Sequence, residues 1–123
     1  MEAHCILMVE DEMCLAMMLG DILEDAGFRV VRASRLDDAL QLVANTRIDA
    51  AILDVNLGGT PVFPLLPQLR EREVPFVFAT AYGHPGIPAE YADAPVLTKP
   101  YPPGRAVDAL RRLISDAAAP PLH

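Results

Sequence analysis

The chain has 123 residues, of which 52% are hydrophobic, so it is long enough for one domain with its own core and too short for two ordinary ones. Its formal net charge of −7 argues against a sequence-independent grip on nucleic-acid phosphates, hence against direct DNA binding, and favours a cation or a basic protein surface as partner. No stretch reaches the roughly 18–20 consecutive apolar residues of a membrane span, and Met1-Glu2-Ala3-His4 is no basic leader, so a cytoplasmic protein without a membrane partner is expected.

Cys5 to Val9 is a short apolar run that ends in Glu10-Asp11-Glu12, the pattern of a strand buried on both faces and closed by an acidic loop. From Met13 to Ala26, Leu15, Met18, Leu19, Ile22 and Leu23 recur at three- and four-residue steps, and Gly27 follows as a helix stop. Cys5 and Cys14 have no paired spacing and read as buried reduced thiols. A second strand covers Phe28 to Arg32. Ser34 with Asp37 then suggests a capping arrangement for a helix through Ala39, Leu40 and Val43.

Ile48 to Val55 gives a third strand that carries Asp54 near its end, and Gly58-Gly59-Thr60-Pro61 reads as a turn and helix entry. Pro67 would remove a backbone donor inside the third helix, so a kink or a late start is expected there. Val74 to Thr80 is a fourth strand and Pro95 to Thr98 a fifth. The stretch between them, Ala81 to Ala94, holds Gly83, Pro85, Gly86 and Pro88 and is expected to be irregular, with at most a short helical turn around Ala89 to Ala92. Pro102 to Ala117 reads as a last helix, with Val107, Leu110, Leu113 and Ile114 inward and Arg111 and Arg112 outward. One domain over residues 1–117 with a frayed tail at 118–123 results.

Strands alternating with helices imply an α/β protein with a parallel sheet, helices on both faces and right-handed crossovers. In the flavodoxin-like strand order 2-1-3-4-5, ligands bind beyond the carboxyl ends of the strands. That order brings Glu10, Asp11, Asp54, Thr80 and Lys99 from four strand ends to one rim. Three converging carboxylates repel unless a cation sits among them, and all-oxygen ligation suits magnesium or manganese. Beside such a cation and Lys99, Asp54 has the chemistry of a nucleophile that forms an aspartyl phosphate, and Thr80 could hydrogen-bond a phosphoryl oxygen. Each residue also has a plainer reading. Glu10 to Glu12 would stabilise a helix N-terminus by about 0.3 to 1 kcal/mol, a strand-end Asp is commonly a turn or cap residue, and Lys99-Pro100 could be a solvated turn. The joint arrangement, not any one residue, carries the functional reading.

The segments Ile6-Leu7-Met8-Val9-Glu10-Asp11-Glu12, Ala51-Ile52-Leu53-Asp54-Val55-Asn56-Leu57 and Leu97-Thr98-Lys99-Pro100-Tyr101 resemble the first strand, phosphoacceptor strand and lysine-proline-aromatic segment of the receiver domains of bacterial two-component response regulators. The resemblance spans nearly the whole chain and implies the CheY-like three-layer αβα sandwich. It implies magnesium ligation by Asp11 and Asp54, a role for Glu10 largely through bound water, a backbone carbonyl ligand from Asn56, a phosphoryl contact from Lys99 and a cis Lys99-Pro100 bond. It further implies a histidine kinase or histidine phosphotransfer protein as phosphodonor. Pro75-Phe76-Val77-Phe78-Ala79-Thr80-Ala81-Tyr82-Gly83 resembles the signature of the single-domain FAT GUY receivers, associated with stress-related phosphorelays, with Ala81 where Gly is usual.

Two departures from the general family bear on the readout. The connection from Thr80 to Lys99 is a few residues shorter than usual, so the fourth helix is expected to be short or absent. Val96 stands where many receivers carry a switching aromatic ring. Tyr82 is the candidate to take over part of that role, the alternative being that its ring packs over the fifth strand. The expected function is a signalling phosphoacceptor, not an enzyme, acting by protein contact or as a phosphate sink. The rivals are an unphosphorylated receiver-like binding module and an Asp-nucleophile phosphatase, for which a late acidic pair and a cap over the substrate are missing from the sequence.

Overall fold

The computed structural model describes residues 3–81 and 86–118. Its elements in chain order are β1 (Cys5–Val9), α1 (Met13–Asp25), β2 (Arg29–Ala33), α2 (Leu36–Asn45), β3 (Ala50–Asp54), β4 (Asn56–Leu57), β5 (Thr60–Pro61), α3 (Leu66–Glu71), β6 (Phe76–Thr80), β7 (Val96–Thr98) and α4 (Pro103–Ala118), with single 3-10 turns at Phe63–Leu65 and Ala89–Tyr91. Five strands form one parallel sheet in the order β2-β1-β3-β6-β7, and β4 and β5 form a separate antiparallel hairpin. The large sheet therefore has the flavodoxin-like order, with β6 and β7 as its fourth and fifth strands.

Alternation along the central strands explains why they read as unbroken apolar runs. Leu7, Val9, Leu53, Phe76 and Phe78 point into one core with Val43, Leu65, Leu66 and Leu69 from the α2–α3 side. Ile6, Met8, Ile52 and Val77 point into the other, against Leu19 and Leu23 of α1 and Ala106, Val107 and Leu110 of α4. Because the strand order reverses between β2-β1 and β1-β3, right-handed crossovers put α1 on the face opposite α2. Each fully buried Leu, Ile or Phe contributes about 1.5–3 kcal/mol of transfer free energy. Phe78 is fully buried and in edge contact with Phe76 and Phe63.

Several local expectations are corrected. Met18 is not a core residue: it is half exposed, as is Met17, Met13 is more exposed still, and the buried stripe of α1 is Leu19, Gly20 and Leu23. The Arg32 guanidinium of β2 lies over Gly20, where a Cβ would meet the end of that side chain. Cys14 shares the outer face of α1 and is an exposed free thiol, whereas Cys5 is buried. Ser34 does not cap α2. The helix starts at Leu36 with Arg35 as N-cap and no side-chain cap bond, so Ser34 lies one residue too early, and Asp37 and Asp38 supply first-turn negative charge instead.

Pro61 is not a helix entry either. Gly58 and Gly59 adopt φ of 58° and 94°, which builds a two-residue hairpin turn of the kind that matches strand twist. The chain returns along β5, and α3 begins only at Leu66 with Pro67 in its first turn, where the missing N–H has no partner to lose. The late start expected from Pro67 is thus found.

Within the described part of the connection after Thr80, the place of a fourth helix is taken by the 3-10 turn Ala89–Tyr91. Tyr91 is buried against Phe76, and the Arg70 guanidinium lies 5.1 Å from the Tyr91 ring centroid and 5.6 Å from that of Phe76. Asp93 meets the same guanidinium at 3.4 Å. Val96 pairs in register with Phe78 and packs half-buried on the α2–α3 side of the sheet, with no ring at that position. Tyr82 lies outside the described residues, as does the tail beyond Ala118; α4 itself ends at Ala118, one residue past the expected helix end. No helix among the described residues is long and apolar enough to cross a membrane.

Candidate functional site

The rim at the carboxyl ends of the strands collects the expected polar residues. β1 runs straight into Glu10, whose N–H continues the ladder to Ala33 O at 3.0 Å, so the carboxylate is delivered by an edge of fixed register. Asp54 is the last residue of β3 and Thr80 the last of β6. Lys99 follows β7, and its N–H bonds Thr80 O at 2.8 Å. The Lys99-Pro100 peptide is cis, as the resemblance implied. Glu10, Asp54 and Thr80 are the buried polar side chains of the described residues, while Asp11 is exposed at the mouth.

A carboxylate oxygen from each of Glu10, Asp11 and Asp54 lies within 4.8 Å of the other two. The Lys99 ammonium is set among them, 2.8 Å from Glu10 Oε1 and 3.2 Å from Asp54 Oδ2. The second oxygens are also occupied: Glu10 Oε2 accepts from Glu12 N–H and Asp54 Oδ1 from Asn56 N–H, each at 3.2 Å. Burial works against the Lys99 charge, but the hydrogen bond to Glu10 and the negative charges of Asp54 and Glu10 outweigh it and hold the ammonium above its usual range. Burial likewise pushes the Tyr101 phenol up, with Lys99 opposing. Three carboxylates around one ammonium leave the rim negative, and in a partly buried site that excess is costly enough to draw a small hard cation.

The donor set fits such a group. Three carboxylate oxygens at one open rim are the ligands that magnesium and manganese take, and no sulfur or imidazole competes among them. Glu10, Asp11 and Asp54 are the residues that would hold the ion.

The sequence reading missed the β4–β5 hairpin, which forms one wall of this rim. Gly58 sits so near the site that a Cβ there would lie 3.5 Å from Asp11 Oδ2. The available signal was Asn56-Leu57-Gly58-Gly59, an exposed–buried alternation running into a two-glycine turn. On the other side a mostly apolar cavity of about 570 Å³ opens beside Lys99, lined by Cys14, Leu15, Met18, Ala81, Pro100 and Tyr101 among others.

Comparison with known proteins agrees with this geometry. Residues 6–111 match the response regulator receiver domain family. The solution structure of SdrG from Sphingomonas melonis is 41% identical, superposes with a TM-score of 0.78, and is matched over 91% of this chain and 97% of that one. Sporulation initiation phosphotransferase F of Bacillus subtilis is 24% identical over 89% of this chain and 92% of its own length. The transcriptional regulatory protein YvrH of Bacillus subtilis is 34% identical over 66% of this chain, and there the match spans only 35% of the longer relative. The chain therefore belongs to the response regulator receiver domain family, the phosphoacceptor modules of two-component signalling.

Proposed function

We propose that this protein accepts a phosphoryl group on Asp54 from a histidine kinase or histidine phosphotransfer protein, and that a receiver domain over residues 1–117 acts by changing its contacts with another protein. The observation that carries the reading is the Lys99 ammonium bridging Glu10 and Asp54 at the mouth of the three-carboxylate cluster. In this reading magnesium, when bound by Glu10, Asp11, Asp54 and the Asn56 carbonyl, neutralises charge on the incoming phosphoryl oxygens. Asp54 attacks the phosphorus, the bond to the donor nitrogen breaks, and the donor histidine leaves with the electron pair. The Asn56 N–H on Oδ1 and the Lys99 ammonium on Oδ2 hold the Asp54 carboxylate in one orientation. Lys99 then exchanges a carboxylate contact for a phosphoryl oxygen, and the Thr80 hydroxyl supplies a hydrogen bond that registers its presence.

The cavity beside Lys99, with exposed Met13, Met17 and Met18 on the adjoining helix, is where we place the donor protein. We assign the chain to the FAT GUY receivers, cytoplasmic and tied to stress signalling, on the Phe78-Ala79-Thr80 core of the motif and on the 3-10 turn that stands in for the fourth helix. With Val96 in place of a switching ring, the readout falls to the loop between Thr80 and Tyr91, with Tyr82 as its leading residue. Incubation with acetyl phosphate and magnesium, followed by intact mass measurement, tests the proposal. One added phosphoryl group, absent without the metal and absent in Asp54→Asn, is the expected result. Repeated turnover of a small phosphate ester would favour the phosphatase reading, and no gain with any divalent metal would favour an unphosphorylated binding module.

A further inference from the structure

The hairpin that follows Asp54 is held by more than its two pairs of residues. Its inner side chains, Leu57 on β4 and Val62 just past β5, are buried in the α2–α3 core, and Val62 N–H bonds Val55 O at 2.9 Å to close its base. At the tip, the Asn56 side-chain oxygen accepts the Gly59 N–H at 2.8 Å, tying the turn back to the first residue of β4. That same residue gives its own backbone N–H to Asp54 Oδ1, and the turn it ties carries Gly58 to the edge of Asp11. One side chain thus ties a backbone that bonds Asp54 and passes beside Asp11.

We propose that the Asn56 carboxamide is a positioning residue: by latching the hairpin through Gly59 it sets the geometry of Asp54 and Asp11 and so tunes the affinity of the rim for magnesium. The inference rests on the metal reading above and deepens it. Asn56 is exposed, yet its carboxamide oxygen is turned along the hairpin to the Gly59 N–H. The turn's left-handed residues have many open conformations when untied, because glycine gains the most backbone freedom of any residue. Without the latch, Gly58 and the Asn56 N–H would sample positions in which Asp54 Oδ1 loses its donor and the rim must be ordered by the metal itself.

The test uses Asn56→Ala, which removes the acceptor, and Asn56→Ser, whose hydroxyl can still accept from an N–H three residues on. Magnesium is titrated into the ¹⁵N-labelled full chain without any phosphodonor, and affinity is read from amide shifts, with Gly59 amide exchange followed in parallel. The expected result is about tenfold weaker magnesium binding and faster Gly59 exchange in Asn56→Ala, the scale seen when groups that orient metal ligands are removed. In Asn56→Ser both should return to near the parent. Unchanged affinity in Asn56→Ala, or a Ser variant as impaired as the Ala variant, would overturn the latch. Because no phosphoryl transfer is measured, a parent protein that binds magnesium but is never phosphorylated would sink the functional reading and leave the latch standing.

Discussion

Replacing Lys99 by Met removes the ammonium that touches both Glu10 and Asp54 and leaves their carboxylates facing each other. The side chains are 20%, 5% and 10% exposed, which places the trio nearer to a buried ion pair than to a surface one. Removing one member of a buried pair costs about 3–5 kcal/mol. The opening of the rim to water at Asp11 pulls toward the lower end. The expected loss is therefore about 3 kcal/mol in urea unfolding with a chelator present. Magnesium should close part of the gap, since a cation bound only by the native state adds about 2.7 kcal/mol at a hundred times its dissociation constant, and the variant, freed of a competing ammonium, should bind it more tightly. A variant as stable as the parent in chelator, or a gap that magnesium does not narrow, would refute the view that the Lys99 ammonium offsets the charge of the carboxylate cluster.

The same ammonium sets an alkaline limit. Its native pKa is raised, so its stabilising share is complete below the unfolded value of about 10.4 and is lost as pH climbs through the higher native one. The stability difference between the parent and Lys99→Met should be level from pH 7 to about 10 and fall beyond; a difference that fades between pH 7 and 9 would contradict this. Phe78→Ala empties the space between Phe76 and Phe63 and should cost about 3–5 kcal/mol, so a loss below about 1.5 kcal/mol would mean the core collapses around it. Gly20→Ala should gain up to about 1 kcal/mol of helix stability, since the colliding atoms are the far end of the half-exposed Arg32 side chain and can swing away. A lower melting temperature in that variant would show that the Arg32 position is fixed.

What the residues disclosed in advance follows a physical line. Strands buried on both faces leave continuous apolar runs, so β1, β3 and β6 were readable, and the polar residues that end them could be assigned to one rim as soon as the strand order was inferred. The rim residues Glu10, Asp11, Asp54, Thr80 and Lys99 were legible because each interrupts such a run. Features set by tertiary contact were not. Met18 has the spacing of a core residue, yet the buried stripe of α1 is Leu19, Gly20 and Leu23, and Met18 ends outside with Cys14. Ser34 and Asp37 satisfy a capping pattern that the actual start at Leu36 leaves unused. The Asn56–Pro61 hairpin was hidden because strands of two residues are too short to show a period, and Pro61 signals a helix start as readily as an edge strand. The Arg70 clasp on Tyr91 joins residues far apart in sequence and left no local trace.

In the proposed function the phosphoryl group sits on Asp54. Acyl phosphates are reduced by borohydride, which converts a phosphorylated Asp into homoserine, so trapping followed by peptide sequencing in a mass spectrometer reports the modified position directly. Homoserine at position 54, dependent on magnesium, is the predicted result; trapping at Asp11 or another carboxylate, or none at position 54 despite a gain in mass, would contradict the account.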